Sequence, residues 1–143
     1  MAIKFPSDEW IKAVKDEVNR SSTYAEVAQT WEGAINFTID DIPDSTGQPT
    51  AMWVDLWHGQ CRAAKIVDPA QPISAAYTIH APLVNWKKVI NKQIGPIQAM
   101  VSGQLKVKGN MVTLLKYTKA AQELVECATR VPTEFPAHWE SSE

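Results

Sequence analysis

Apolar positions in this chain recur at two spacings, and the points where the spacing changes divide its 143 residues into elements. Trp10, Ile11, Val14 and Val18 fall at helical spacing behind Ser7, a good N-cap, with Asp8 and Glu9 in the first turn where the helix dipole favours negative charge. That helix is expected to end near Asn19, Arg20 and Ser21. A second, over about residues 22–31, has Tyr24, Val27, Ala28 and Trp31 on one side, and Gly33 closes it. From Ile35 the period drops to two: Ile35, Phe37 and Ile39 alternate with Asn36, Thr38 and Asp40, the pattern of a strand with one wet face. Met52, Val54 and Leu56 repeat it in a strand over 51–57, His58-Gly59-Gln60 makes a tight hairpin, and 61–67 returns as the third strand. The polar run 44–49 and the proline-bounded run 68–72 are turns or breaks by composition.

Residues 74–80 form a fourth strand, after which Pro82 suits the first turn of a helix bearing Leu83, Val84, Trp86, Val89 and Ile90. A short apolar helix follows over 96–101, then a fifth strand over 104–108. There Leu105 and Val107 alternate with Gln104, Lys106 and Lys108; Gly109 permits a sharp exit and Asn110 caps what comes next. Met111, Leu114, Leu115 and Thr118, then Ala121, Leu124, Val125 and Ala128, keep one apolar stripe through a single long amphipathic helix. The order predicts an α+β domain over 1–143, with a core over about 22–131. A five-stranded, mainly antiparallel sheet is covered on one face by helices, and such a layer pair can enclose a hydrophobic cavity. Residues 132–143, including Trp139, are expected to be an irregular tail, with Trp139 able to tuck back onto the body.

Composition narrows the function classes. A formal net charge of −2 with mixed signs argues against nucleic acid as a partner, because such binding needs a basic surface that releases counterions. Lysines cluster locally at Lys87, Lys88 and Lys92 and at Lys106, Lys108, Lys116 and Lys119. They read as a solvated face, with a landing patch for phosphate groups or anionic lipid heads as the alternative and transient membrane-surface contact as its consequence. No apolar run has the length of a membrane span, the first residues lack a signal-peptide core, and a cytoplasmic location is the default expectation. Cys61 and Cys127 form no Cys-x-x-Cys unit and are expected to be reduced thiols, Cys127 as a small core residue.

Asp55, His58 and Cys61 lie close in sequence, yet strung around a hairpin they give His58 no route to both partners. His80 has no companion motif that would supply metal ligands, and Asp40, Asp41 and Asp44 lack the glycine and terminal glutamate of a calcium loop. The expectation is no metal, no cofactor and no catalytic residue, hence a binding module rather than an enzyme.

The segment Gly103-Gln104-Leu105-Lys106-Val107-Lys108-Gly109-Asn110 resembles the sterol carrier protein 2 (SCP2) family, whose members often place Gly-Lys-Leu-Lys-apolar-Lys-Gly-Asp/Asn before the C-terminal helix. Gln104 stands where the family commonly has lysine, a surface exchange that leaves the fold intact. More loosely the resemblance runs over about 24–131. It implies non-catalytic binding or transfer of a fatty acid, fatty acyl-coenzyme A, sterol or isoprenoid lipid between sheet and helices. Ligand contact is then expected at Leu105, Val107, Met111, Leu114 and Leu115, with Trp86, Ile90, Ile97 and Met100 as an opposing lid placed by pattern alone. The short helices between Pro82 and Val101 are the expected gate, and Leu115→Trp is expected to fill the cavity. The alternatives are an accessory domain docking a partner enzyme, and a small acyl-thioester enzyme using His58 or His80 as base.

Overall fold

The computed structural model describes residues 2–40, 50–67 and 73–135. The chain opens with β1 (Ile3–Lys4), α1 (Asp8–Arg20) and α2 (Ser22–Val27). Ser7 caps α1 as its hydroxyl accepts from the Trp10 amide at 3.0 Å, and Ser21 caps α2 in the same way. α2 stops earlier than its apolar spacing suggests: Ala28 leaves helical geometry at φ −115° and ψ 17°, and the Trp31 amide bonds back only three residues, to the Ala28 carbonyl. Gly33 is not a helix terminator but sits inside β2 (Glu32–Ile39) at φ +148°.

β3 (Thr50–Trp57) and β4 (Gln60–Val67) form the hairpin that the alternation predicts. His58 and Gly59 between them both have positive φ, as a two-residue hairpin turn that follows the strand twist requires. β5 (Tyr77–Ala81) follows, then α3 (Leu83–Ile90), α4 (Pro96–Val101) and β6 (Lys106–Lys108). The sheet order is β4-β3-β2-β5-β6, with β2 and β5 parallel and the other three pairings antiparallel. The chain leading into β5 crosses the outer face of the sheet, where Asn36 donates to the Ile73 carbonyl at 3.3 Å and Trp53 to that of Ser74 at 3.2 Å. The turns expected over 44–49 and 68–72, and Trp139, lie outside the described residues.

The single long helix expected after Asn110 is in fact two, α5 (Met111–Leu115) and α6 (Thr118–Thr129). Lys116 and Tyr117 bond back three residues, to Thr113 and Leu114, and the Thr118 hydroxyl takes the Leu115 carbonyl at 2.9 Å. Tyr117 meets Trp31 edge-on, their ring centroids 4.9 Å apart, and shares a 3.0 Å hydrogen bond with Thr30. These tertiary contacts bend the chain at a point where the local sequence contains no breaker.

Residues 133–134 are not irregular: β7 (Thr133–Glu134) pairs in parallel with β1. Trp10 donates its indole proton to the Thr133 hydroxyl at 2.9 Å, and Phe5 packs edge-on against both Trp10 and Phe135. The first and last described segments are thus tied together beside α1. The helices gather on the inner face of the sheet, α1 against β4 and α6 touching α1, α2, α3 and α4.

Candidate functional site

Strand alternation sends Ile35 and Phe37 from β2, Met52, Val54 and Leu56 from β3, and Ile79 from β5 to one face of the sheet. Facing them are Trp10, Ile11, Val14 and Val18 of α1 and Leu124, Val125 and Ala128 of α6. The two layers do not close on each other. A cavity of about 140 Å³ remains between them, and among its lining residues only Lys15 carries a formal charge.

Aromatic contacts hold the ends of this space. Trp86 donates its indole proton to the Thr38 carbonyl at 2.9 Å and stands edge-on to Phe37, 5.8 Å between centroids. At the other end Trp31 packs between Tyr77 and Tyr117, at 5.3 and 4.9 Å. Asn85 donates to the Gln104 carbonyl at 2.9 Å and so ties α3 to the approach of β6.

Of the nine residues expected to contact ligand, Trp86, Ile90, Met100, Leu105 and Leu114 lie on the cavity wall. Ile97, Val107 and Met111 pack half-buried against the core but off the wall. Leu115 is 38% exposed and points away from the cavity, so Leu115→Trp would place its indole in solvent rather than in the void. The break after α5 is the reason: a stripe extrapolated through one continuous helix puts Leu114 and Leu115 on the same side, whereas a five-residue helix buries one of them.

Apolar spacing marks the inward face of α1 and the inner faces of the strands. Nothing in periodicity separates a residue that packs on its neighbours from one that stops short of them. Val14, Tyr24, Met52, Val54, Leu124 and Val125 are wall residues missed for that reason.

The buried thiols and phenol at the wall and just behind it are held neutral. Burial pushes the Cys61 thiol up to about 11, and its proton goes to the Ala63 carbonyl at 3.3 Å. Cys127 is likewise raised to about 11, first by burial and then by Glu123. Burial also raises Tyr24, which stays a neutral phenol. A thiol protonated at neutral pH is a poor nucleophile, so both cysteines are expected to resist a maleimide in the native protein and to react once it is unfolded. Stoichiometric labelling without denaturant would show that either thiol is open to water.

His58 pairs with Glu32 at 2.6 Å and stacks on Trp57, while Asp55 takes both arms of Arg62 at 3.0 and 3.1 Å. Neither pair includes Cys61. His80 bonds Asp40 at 3.0 Å on the far side of the sheet. Asp41 and Asp44 lie outside the described residues. No group of three or more metal-ligating side chains forms among the described residues.

Comparison with known proteins agrees with this architecture. The family model described as the SCP-2 sterol transfer family matches residues 11–122. A crystal structure of sterol carrier protein 2 is 35% identical, with a TM-score of 0.81 over 87% of this chain and 97% of that one. A conserved hypothetical protein of Thermus thermophilus, described as possibly a sterol carrier protein, is 34% identical, with a TM-score of 0.80 over 88% of each chain. The palmitated SCP2L2 of Aedes aegypti, 17% identical with a TM-score of 0.55 over 80% of this chain and 94% of its own, shares the fold. No curated protein sequence matches the chain. Matched over most of its length, with its five-stranded sheet and covering helices in the same arrangement, the chain belongs to the SCP-2 sterol transfer family.

Proposed function

We propose that the protein binds, and passes on, a hydrophobic ligand lodged between its sheet and its helices, without acting on it chemically. The observation that supports this reading is the apolar cavity of about 140 Å³ at the centre of the fold, since protein interiors ordinarily leave few voids larger than a water molecule. An apolar cavity of roughly 150 Å³ in another protein stays dry and accepts benzene. By that measure the present space suits a ring or a short run of methylenes. A long acyl chain, sterol or isoprenoid therefore requires a wall to move outward.

The sheet wall is fixed by its ladders, whereas α4 and α5 are single short helices of six and five residues. Helices of that length have little stability of their own. They are the wall that yields, and they bring Pro96, Met100 and Leu114 with them. Each methylene then buried contributes about 0.8 kcal/mol, so affinity rises with chain length and few polar contacts are needed.

Lys15 gives the ligand a direction. Its side chain reaches the wall beside Cys61, where an ammonium favours the carboxylate of a free fatty acid over the hydroxyl of the matching alcohol. Lys15→Met is expected to lower that preference by about tenfold, the worth of one hydrogen bond to a charged group. Equal acid and alcohol affinities in the unaltered protein would remove Lys15 from this role and leave the carrier reading standing. The direct test of that reading is displacement of a fluorescent fatty acid by unlabelled ligands. Saturable displacement at one site per chain is expected; its absence for acids, alcohols and sterols alike would overturn the proposal.

A further inference from the structure

Three pairs of aromatic rings stand around the cavity, and both members of each pair are wall residues. Phe5 meets Trp10 with 4.7 Å between centroids and the planes 77° apart, Tyr117 meets Trp31 at 4.9 Å and 86°, and Phe37 meets Trp86 at 5.8 Å and 81°. All three pairs are edge-to-face, the arrangement that lays the positive rim of one ring on the negative face of another. The six side chains come from the segment before α1, from α1, from the start and middle of the β2 region, from α3 and from the bend after α5. No local motif gathers them; the fold does.

The three indoles are fixed from behind. Trp10 donates its ring proton to the Thr133 hydroxyl, Trp31 to the Gly33 carbonyl and Trp86 to the Thr38 carbonyl, each at 2.9 Å. With their N–H groups satisfied by the protein, these rings offer the void carbon alone and ask no polar group of a ligand. All three are buried, so their orientations are set before a ligand arrives and little side-chain freedom is lost on binding. The size of the space agrees. At about 140 Å³ it is close to the roughly 150 Å³ at which an apolar cavity accepts benzene. One ring therefore enters the structure as it stands, whereas a long chain must first displace α4 and α5.

We infer that the cavity selects ligands that end in a single aromatic ring, in the class of aryl-substituted alkanoic acids, with the ring seated among these six side chains and the carboxylate towards Lys15. The inference rests on the reading of this cavity as a ligand site and narrows it: a saturated tail is what the site accommodates, an aromatic ring what it prefers. Each new edge-to-face contact is worth about two- to tenfold in affinity beyond the burial of area. A saturated ring of the same size has no quadrupole and gains none of this.

The experiment sets three acids of equal carbon number against a fluorescent fatty acid on the full chain: tetradecanoic, 8-cyclohexyloctanoic and 8-phenyloctanoic acid. Burial of apolar surface alone ranks the phenyl acid last, because its ring presents the least such surface. The expected result is the reverse, displacement by the phenyl acid at about tenfold lower concentration than by the cyclohexyl acid. Those two share carboxylate and spacer, so Lys15 cancels from their ratio. Phe37→Leu removes one ring and keeps an apolar side chain; it should lower the ratio by about threefold, a comparison made within one protein and so independent of any general loss of affinity. Should that variant not fold, the wild-type ratio decides alone. A cyclohexyl acid that binds as well as the phenyl acid, or a ratio untouched in folded Phe37→Leu, would overturn the inference, and displacement by all three acids would then leave the carrier reading standing. Displacement by none of them would overturn both.

Discussion

Ala121→Trp is expected to abolish binding of long-chain ligands while the protein stays folded. Ala121 lies half-buried on the cavity wall, on the α6 turn before Leu124 and Val125. An indole there enters a space of about 140 Å³ that no side chain now fills. If it shuts out only about four methylenes of a bound chain, the loss is about 3 kcal/mol, or roughly a hundredfold in affinity. Because the added ring occupies a void, the usual penalty of about 1–3 kcal/mol for overpacking a full core is an upper limit. Leu115→Trp is the matched comparison: the same ring, placed on the solvent side of α5. It should leave solution binding within about twofold, the scale of effects at exposed positions. A fluorescent fatty acid titrated into both proteins separates the two positions. Equal losses in the two would mean that the void is not where the ligand sits.

Gly59→Ala is expected to destabilise the fold by about 3 kcal/mol or more, through a clash with rigid backbone added to strain. Gly59 has φ +82°, and a methyl there would stand 2.7 Å from the Ala25 carbonyl oxygen and 2.8 Å from its Cα. Neither atom belongs to a flexible side chain. The β3–β4 hairpin would have to lift from α2, and the 2.7 Å bond from the His58 amide to the Trp31 carbonyl would suffer with it. Gly103→Ala isolates the conformational part, because Gly103 has nearly the same φ, +84°, with no atom within 4 Å of the added methyl. That substitution should cost only about 1–2 kcal/mol. Denaturant midpoints of the two variants measure the difference. A Gly59→Ala protein no less stable than Gly103→Ala would mean that hairpin and α2 are not in contact.

What the sequence made legible and what it left hidden follow from the reach of each signal. The alternation in β2 and β3 marked strands and inward faces correctly, because a face buried against helices shows itself residue by residue. It did not reveal that β2 runs parallel to β5, since alternation along one strand says nothing of the direction of its neighbour. β1 and β7, two residues each, are too short to show any period and are fixed instead by backbone bonds such as that from Phe5 to Glu134. Ser7 and Asn110 were readable as caps because capping is local. The bend at Lys116 and Tyr117 was not, because it is imposed by Trp31 and Thr30, which are distant in the chain.

The candidate site divides along the same line. Leu105 and Leu114 were reachable through the family-like segment and do line the cavity, and Trp86, Ile90 and Met100 were reachable through apolar pattern. Leu115 was misplaced by the hidden bend. Val14, Tyr24, Leu124 and Val125 stand on apolar stripes that do not distinguish wall from core, because the gap between two apolar layers is a property of their separation and not of either stripe.

The central claim is that the space between sheet and helices admits a hydrophobic ligand by displacement of its α4–α5 wall. Nuclear magnetic resonance of the protein with and without a long-chain fatty acid tests it most directly. Contacts from the acyl chain to Leu114, Met100, Val54 and Val125 are expected, with the largest amide shifts over 96–116 and little change in the β3–β4 ladder. An acyl chain that contacts only outward residues such as Val112 and Leu115, with the inner side chains undisturbed, would contradict it.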